Sequence, residues 1–236
     1  MFAISLKNYF NSQFIADLMV GSPEQAIPVL LDTGSPDVWI ISDDCVENTC
    51  KLVDTRFYED KSESFEEIGS EKNISDRYGS GTIWGKEVQD TIRLDNLTIN
   101  KMPFCSIKEV DFDNQDYLKF SGLVGLSYSS LSKYTEISFV KQMGLNGLID
   151  YEIFAFYLST EGESEFTIGY VDLTKTKSNL MYYEVILREW WTISVSSVTL
   201  GGEGKNLCES VSCPAIIDSG TSLITMPFHL YKSVLK

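Results

Sequence analysis

Histidine is almost missing from this 236-residue chain, where His229 stands alone. A zinc protease built on H-E-x-x-H is therefore excluded. So is a serine hydrolase, which needs a histidine base behind a G-x-S-x-G elbow that is also absent. Basic charge is scarce, with 19 Lys and Arg against 34 Asp and Glu and a net charge of −15. Nucleic-acid binding needs a basic face, so no nucleic-acid partner is expected. No apolar run nears the roughly 18 residues that span a bilayer, so no membrane span is expected. The opening MFAISLKNYF lacks the basic start, long apolar core and small-residue cleavage site of a signal peptide. Gly79-Ser80-Gly81 falls short of a dinucleotide fingerprint, because the next glycine comes one position late and no strand–helix unit surrounds it. No C-x-x-C spacing occurs either. Neither a metal nor an organic cofactor is expected.

What is present is apolar and aromatic. Hydrophobic residues make up 43% of the chain, with 13 Phe and 12 Tyr, enough for one large domain or two small lobes with buried cores. Short runs rich in Val, Ile, Phe, Tyr and Trp, punctuated by Gly, Asn, Asp and Ser, predict strands: FIADLMV, AIPVLLD, DVWIIS, GTIWG, FAFYLS, EFTIGYV and WTISVSSVTL. Helices are expected over 138–149 and 227–236, the second opened by a proline at a favoured first-turn position. The polar stretches 59–77 and 109–119 are expected as solvated loops, and DLTKTKSN at 172–179 as the boundary between two lobes. The fold class is all-β with a few short helices.

The cysteines fall as Cys45 with Cys50 and Cys208 with Cys213, while Cys105 sits apart in the apolar MPFCSI. Tight disulfide loops, which need an oxidising compartment, are the stronger reading of the pairs, and buried free thiols are the other. Cys105 itself reads as a buried free thiol. Sequons at Asn73 and Asn96 agree with secretory traffic but arise often by chance. The acidic balance suits a compartment of low pH, where part of the charge is neutralised.

One internal repeat carries chemistry. VLLDTGSP at 29–36 is echoed by AIIDSGTS at 215–222. Each places an aspartate directly after an aliphatic strand, where an unpaired charge is costly. A glycine two residues later permits a tight turn and a close neighbour. The surrounding hydroxyls can tie the loop to backbone. A single Asp-Thr-Gly is commonplace in turns; two copies, far apart in the chain, suit one equivalent loop in each of two lobes. Two such carboxyls facing each other cannot both ionise easily, so they share a proton and titrate as a unit.

LLDTGSPDVWI and IIDSGTSLIT resemble the two active-site segments of the pepsin-like aspartic proteases. The likeness extends through NYFNSQFIADLMVGSPEQAIPVLLDTGS at the start, RYGSGTIWG at 77–85, SGLVGLSY at 121–128 and WWTISVSSVTLGG at 190–202. It implies a bilobal, pepsin-like, all-β fold, with residues 1–172 as an N-terminal lobe and 173–236 as part of a C-terminal one. By two-lobe symmetry roughly a hundred further residues are expected after Asp218, so the second lobe reads as incomplete.

The same resemblance implies roles. Asp32 and Asp218 are the catalytic dyad of an aspartic endopeptidase. Thr33 and Ser219 cross-brace the loops, and Gly34 and Gly220 line the cleft floor. Ser35 and Thr221 bond the outer carboxyl oxygens. Tyr78, carried by a flap with Gly79, Ser80 and Gly81, closes over the substrate with its hydroxyl toward Trp39, although Trp39 reads equally well as an ordinary core aromatic. Trp190 stands where an aromatic lies in the cleft. The disulfides are Cys45–Cys50 and Cys208–Cys213. The protein is expected to be a monomer, made as a zymogen, acting on polypeptides in the secretory pathway, in a lysosome- or vacuole-like acidic compartment or outside the cell. The alternative is a non-catalytic binding protein of the same fold or an inactive fragment.

Overall fold

Alternation of apolar side chains along short segments turns one face of each strand inward, and the strands assemble into one large sheet. The computed structural model describes residues 2–45, 50, 53–69, 74–112, 118–133, 135–199, 206–208 and 212–234. Its strands are β1 (Phe2–Tyr9), β2 (Gln13–Val20), β3 (Gln25–Asp32), β4 (Val38–Ile41), β5 (Glu66–Glu67), β6 (Ile74–Tyr78), β7 (Gly81–Leu94), β8 (Leu97–Phe112), β9 (Gly122–Gly125), β10 (Phe154–Tyr157), β11 (Ser164–Ile168), β12 (Thr192–Val195) and β13 (Cys213–Ile216). The helices are α1 (Phe139–Leu145) and α2 (Phe228–Val234). The main sheet runs β10-β11-β1-β2-β3-β9-β4-β8-β7-β5, with β6 paired to β7; β12 and β13 form a separate pair. The fold is all-β, and no described helix is long and apolar enough to cross a membrane.

Most pairings are antiparallel, but β3 runs parallel to β9 and β4 parallel to β8. These central strands are covered on both faces, so alternation disappears: Val29 through Asp32, all of β4 and all of β9 are buried. Two cores result. Val29, Leu31, Val38 and Ile40 join the larger one, and Leu30, Trp39, Ile41 and Leu123 the smaller one. The carboxylate at the end of β3 is thereby carried into the middle of the sheet on a rigid support.

Several expected segments shift. α1 is shorter than 138–149: Ser138 caps its start, accepting from the Lys141 N–H, and the chain turns at Asn146 and at Gly147, whose φ is +67°. Loop 59–77 contains two strands, because β5 and β6 pair with the long β7. β8 extends into 109–119, burying Val110 and Phe112. β12 is only the first part of the expected 191–200 strand. Segment 172–179 lies between β11 and β12 and holds a 3-10 turn, Leu173–Lys175, capped by the Asp172 side chain. Asn96 is exposed at the turn between β7 and β8, and Asn73 lies outside the described residues. Large apolar side chains in the last third stay open to solvent, among them Tyr182 at 88%, Leu223 at 80% and Ile224 at 89%.

Candidate active site

Asp32 is the last residue of β3, pairs with Gly125 across the sheet, and is 5% exposed. Chain leaving β9 ties its loop down. The Leu126 N–H donates to the Asp32 carbonyl at 2.7 Å, the Ser127 N–H to the Ser35 carbonyl at 3.0 Å, and the Gly125 N–H to the Asp37 carbonyl at 2.9 Å. Asp218 lies just beyond β13 and is half-buried.

The two loops hold each other reciprocally. The Thr33 N–H donates to Ser219 Oγ at 3.0 Å, and the Ser219 N–H donates to Thr33 Oγ1 at 2.9 Å. The Thr33 hydroxyl passes on to the Ile217 carbonyl at 2.8 Å, and the Ser219 hydroxyl to the Leu31 carbonyl at 2.7 Å. Four neutral hydrogen bonds thus join segments remote in the chain, and every hydroxyl is used as both donor and acceptor.

Each carboxyl is then bonded in the same way. Asp32 Oδ1 accepts from the Gly34 N–H at 2.8 Å, and Oδ2 from the Ser35 hydroxyl. Asp218 Oδ1 accepts from the Gly220 N–H at 2.8 Å, and Oδ2 from the Thr221 hydroxyl at 2.5 Å. Only glycine fits at the centre. A Cβ on Gly34 would lie 2.6 Å from the Asp218 carboxyl, and one on Gly220 would lie 2.2 Å from Asp32 Oδ1. Each carboxyl therefore rests against the glycine of the other loop.

This environment raises the Asp32 pKa to about 7. Burial is the main cause; the Asp218 charge and a direct side-chain hydrogen bond to Asp218 add to it, while the Ser35 and Gly34 bonds oppose it. Asp32 therefore keeps its proton to a higher pH than an ordinary aspartate.

Around the carboxyls runs a cleft of about 680 Å³. One wall is the hairpin of β6 and β7, in which Tyr78 pairs with Gly81 around the Gly79-Ser80 turn. Tyr78 stands edge-on to Trp39, 6.3 Å between centroids, and to Phe112 at 6.4 Å. Trp39 is 1% exposed yet also lines the cleft, so it is core and wall at once. Burial pushes the Tyr78 hydroxyl well above its usual range, and the neighbouring Trp39 indole opposes this. The Cys45–Cys50 and Cys208–Cys213 disulfides are formed, and Cys105 is buried and free, with burial pushing its thiol above the usual range.

The profile of the family described as eukaryotic aspartyl protease matches residues 13–236. The chain belongs to this family. Sheep (Ovis aries) chymosin is 32% identical over 95% of this chain and 58% of its own length. Bovine (Bos taurus) pregnancy-associated glycoprotein 2 is 33% identical over 98% and 60%. The vacuolar aspartic protease of Candida albicans is 30% identical over 95% and 54%. The chain thus spans somewhat over half the length of these relatives.

The Trp190 indole N–H donates to the Gly34 carbonyl at 3.1 Å, at the floor of the cleft where the sequence placed an aromatic. Some residues at this site were not singled out from the sequence. Trp191 donates to the Leu126 carbonyl at 2.9 Å, and its place beside Trp190 was the available signal. Asp37, 1% exposed, accepts a hydrogen bond from the Ser132 hydroxyl behind the loop. Its signal was an acidic residue wedged between a proline and the apolar run VWII. Gln13, Phe112, Phe120 and Leu223 line the cleft and carried no distinguishing pattern.

Proposed function

We propose that the protein is an aspartic endopeptidase in which Asp32 and Asp218 share one proton and activate water between them. The observation that supports this most strongly is the reciprocal packing of the loops, with each carboxyl against the glycine of the other and Asp32 holding its proton to about pH 7. The ionised carboxyl takes a proton from water while the water oxygen attacks the scissile carbonyl carbon. The protonated carboxyl gives its proton to the carbonyl oxygen, and a tetrahedral diol forms without a covalent enzyme intermediate. Return of a proton to the amide nitrogen and cleavage of the C–N bond release a carboxylic acid and an amine. No metal or organic cofactor takes part. The preformed hydrogen bonds to the outer carboxyl oxygens hold both groups in place throughout.

Substrates are extended polypeptides lying under the Tyr78 hairpin, where main-chain bonding to Gly79 and Ser80 resembles addition of a strand. The aromatic wall of Trp39, Tyr78, Phe112 and Phe120 favours a bulky apolar residue beside the scissile bond. The two disulfides fit folding in the secretory pathway, and the raised Asp32 pKa fits work in an acidic compartment. The test is cleavage of a long peptide by protein made from the full reading frame, between pH 3 and 6, with and without a statine-type inhibitor. Acid-dependent cleavage blocked by the inhibitor and abolished by Asp32→Asn is expected. Cleavage that survives Asp32→Asn would overturn the proposal, and inhibitor binding without any cleavage would identify a peptide-binding protein instead.

A further inference from the structure

Of the two sequons, Asn96-Leu97-Thr98 falls on described chain, at the far tip of the long β7–β8 hairpin. Leu94 pairs with Leu97 there, so Asp95 and Asn96 make the two-residue turn. Both leucines are buried in the larger core and fix the turn in place, while Asp95 and Asn96 are exposed. The turn is built without help from the asparagine. Asp95 takes the left-handed backbone, with φ +52°, and Asn96 does not. The Asp95 carbonyl accepts from Arg93 Nη1, and Arg93 is held in turn by Glu24, at 2.6 Å to each carboxyl oxygen. Among the described residues the Asn96 side chain bonds only to its neighbour, from Nδ2 to Asp95 Oδ2 at 3.2 Å on the exposed surface. Asparagine earns its place in turns by adopting left-handed backbone or by bonding to main chain ahead of it. Asn96 does neither, so the fold supplies no reason for this residue type at this position.

We infer that Asn96 is an N-glycosylation site, which takes an oligosaccharide from a polyprenyl diphosphate-linked donor. The N-x-Thr pattern is the acceptor for that transfer in proteins of the secretory pathway, and the two disulfides fit folding in the same oxidising lumen. In the transfer, Asn96 Nδ2 forms an N-glycosidic bond to the anomeric carbon of the first sugar. The bond from that carbon to the diphosphate breaks, the diphosphate carrier leaves, and the amide gives up one proton. The second N–H stays on Nδ2, so the bond to Asp95 is kept and no buried contact is lost. The glycan also stands clear of the cleft. β7 runs 14 residues from Gly81, beside the flap turn, to Leu94. At roughly 3.3 Å per residue its ends are up to about 40 Å apart. A bulky sugar at Asn96 therefore leaves the Tyr78 hairpin and both aspartates untouched, and the inference does not depend on the protease reading.

The full reading frame, made in a eukaryotic host behind a secretion leader, is digested with peptide N-glycosidase in heavy-oxygen water and mapped by peptide mass spectrometry. The digestion turns each formerly glycosylated asparagine into a labelled aspartate. Label at Asn96 is expected. Thr98→Ser should keep it and Thr98→Ala should lose it, because transfer needs the hydroxyl two residues on. Asn96→Gln should remove one glycan from the intact mass and leave acid cleavage of a peptide unchanged. The inference is overturned if Asn96 is recovered unlabelled, including where all the label lies at Asn73, or if label at Asn96 survives Thr98→Ala. A protein glycosylated at Asn96 that cleaves no peptide would count against the dyad and support this site.

Discussion

Thr33→Val isolates the brace between the two loops. Thr33 is 6% exposed, and valine keeps its branched shape while removing the hydroxyl. The change strands two groups at once: the Ser219 N–H loses its acceptor and the Ile217 carbonyl loses its donor. Ser219 is only half-buried and Ile217 is 55% exposed, so water replaces part of what is lost, and the variant should be destabilised by roughly 1–3 kcal/mol. Thr33→Ser keeps the hydroxyl and should lose less than about 1 kcal/mol. Urea denaturation followed by tryptophan fluorescence reads both, since Trp190 is bonded to the adjoining Gly34. Binding of a statine-type inhibitor should weaken in Thr33→Val, because Asp32 and Asp218 lose their common frame. If Thr33→Val falls within about 0.5 kcal/mol of wild type and binds the inhibitor equally, the cross-braced arrangement does not hold the site together, and the reasoning fails.

Other expectations follow from the same contacts. Gly220→Ala places a Cβ 2.2 Å from Asp32 Oδ1; peptide cleavage should be lost in a protein whose circular dichroism is unchanged, and retention of full activity would show that the glycine contact is dispensable. Asp32 and Asp37 have pKa values raised to about 7 and about 6, above the range near 4 of the unfolded chain. Their contribution to stability is therefore complete below about pH 4 and is lost as pH rises through 6 and 7. A shift of the Asp37 size corresponds to about 3 kcal/mol, and exposed ion pairs such as Lys7–Asp17 offset little of it. Urea midpoints should thus fall between pH 4 and 7.5, and a midpoint that rises over that interval would contradict the assignment. Trp190→Phe removes one bond to the Gly34 carbonyl and should cost about 1 kcal/mol with weaker inhibitor binding; unchanged binding would place Trp190 outside the cleft's framework.

The loops at Asp32 and Asp218 were legible because their chemistry is local: an aliphatic strand, an acid, a glycine and hydroxyls recur in one short window. The strands flanking them were legible for the same reason, having clean apolar runs. β6 was not, since Ile74-Ser75-Asp76-Arg77-Tyr78 is polar and becomes a strand only by pairing with β7. β8 was hidden by Lys101, Pro103 and Lys108, and its partners β4 and β7 determine its length. Asp37 was not singled out, because an acid between Pro36 and the apolar VWII is a faint signal and its hydrogen-bond partner, Ser132, is distant in the chain.

The most direct test of a shared proton is a carbon-13 NMR titration of the aspartate carboxyls in wild type and in Asp218→Asn. Asp32 should titrate in coupled steps with its upper one near pH 7, and removal of the Asp218 charge should move that step downward. An Asp32 titration identical in both proteins would contradict the account.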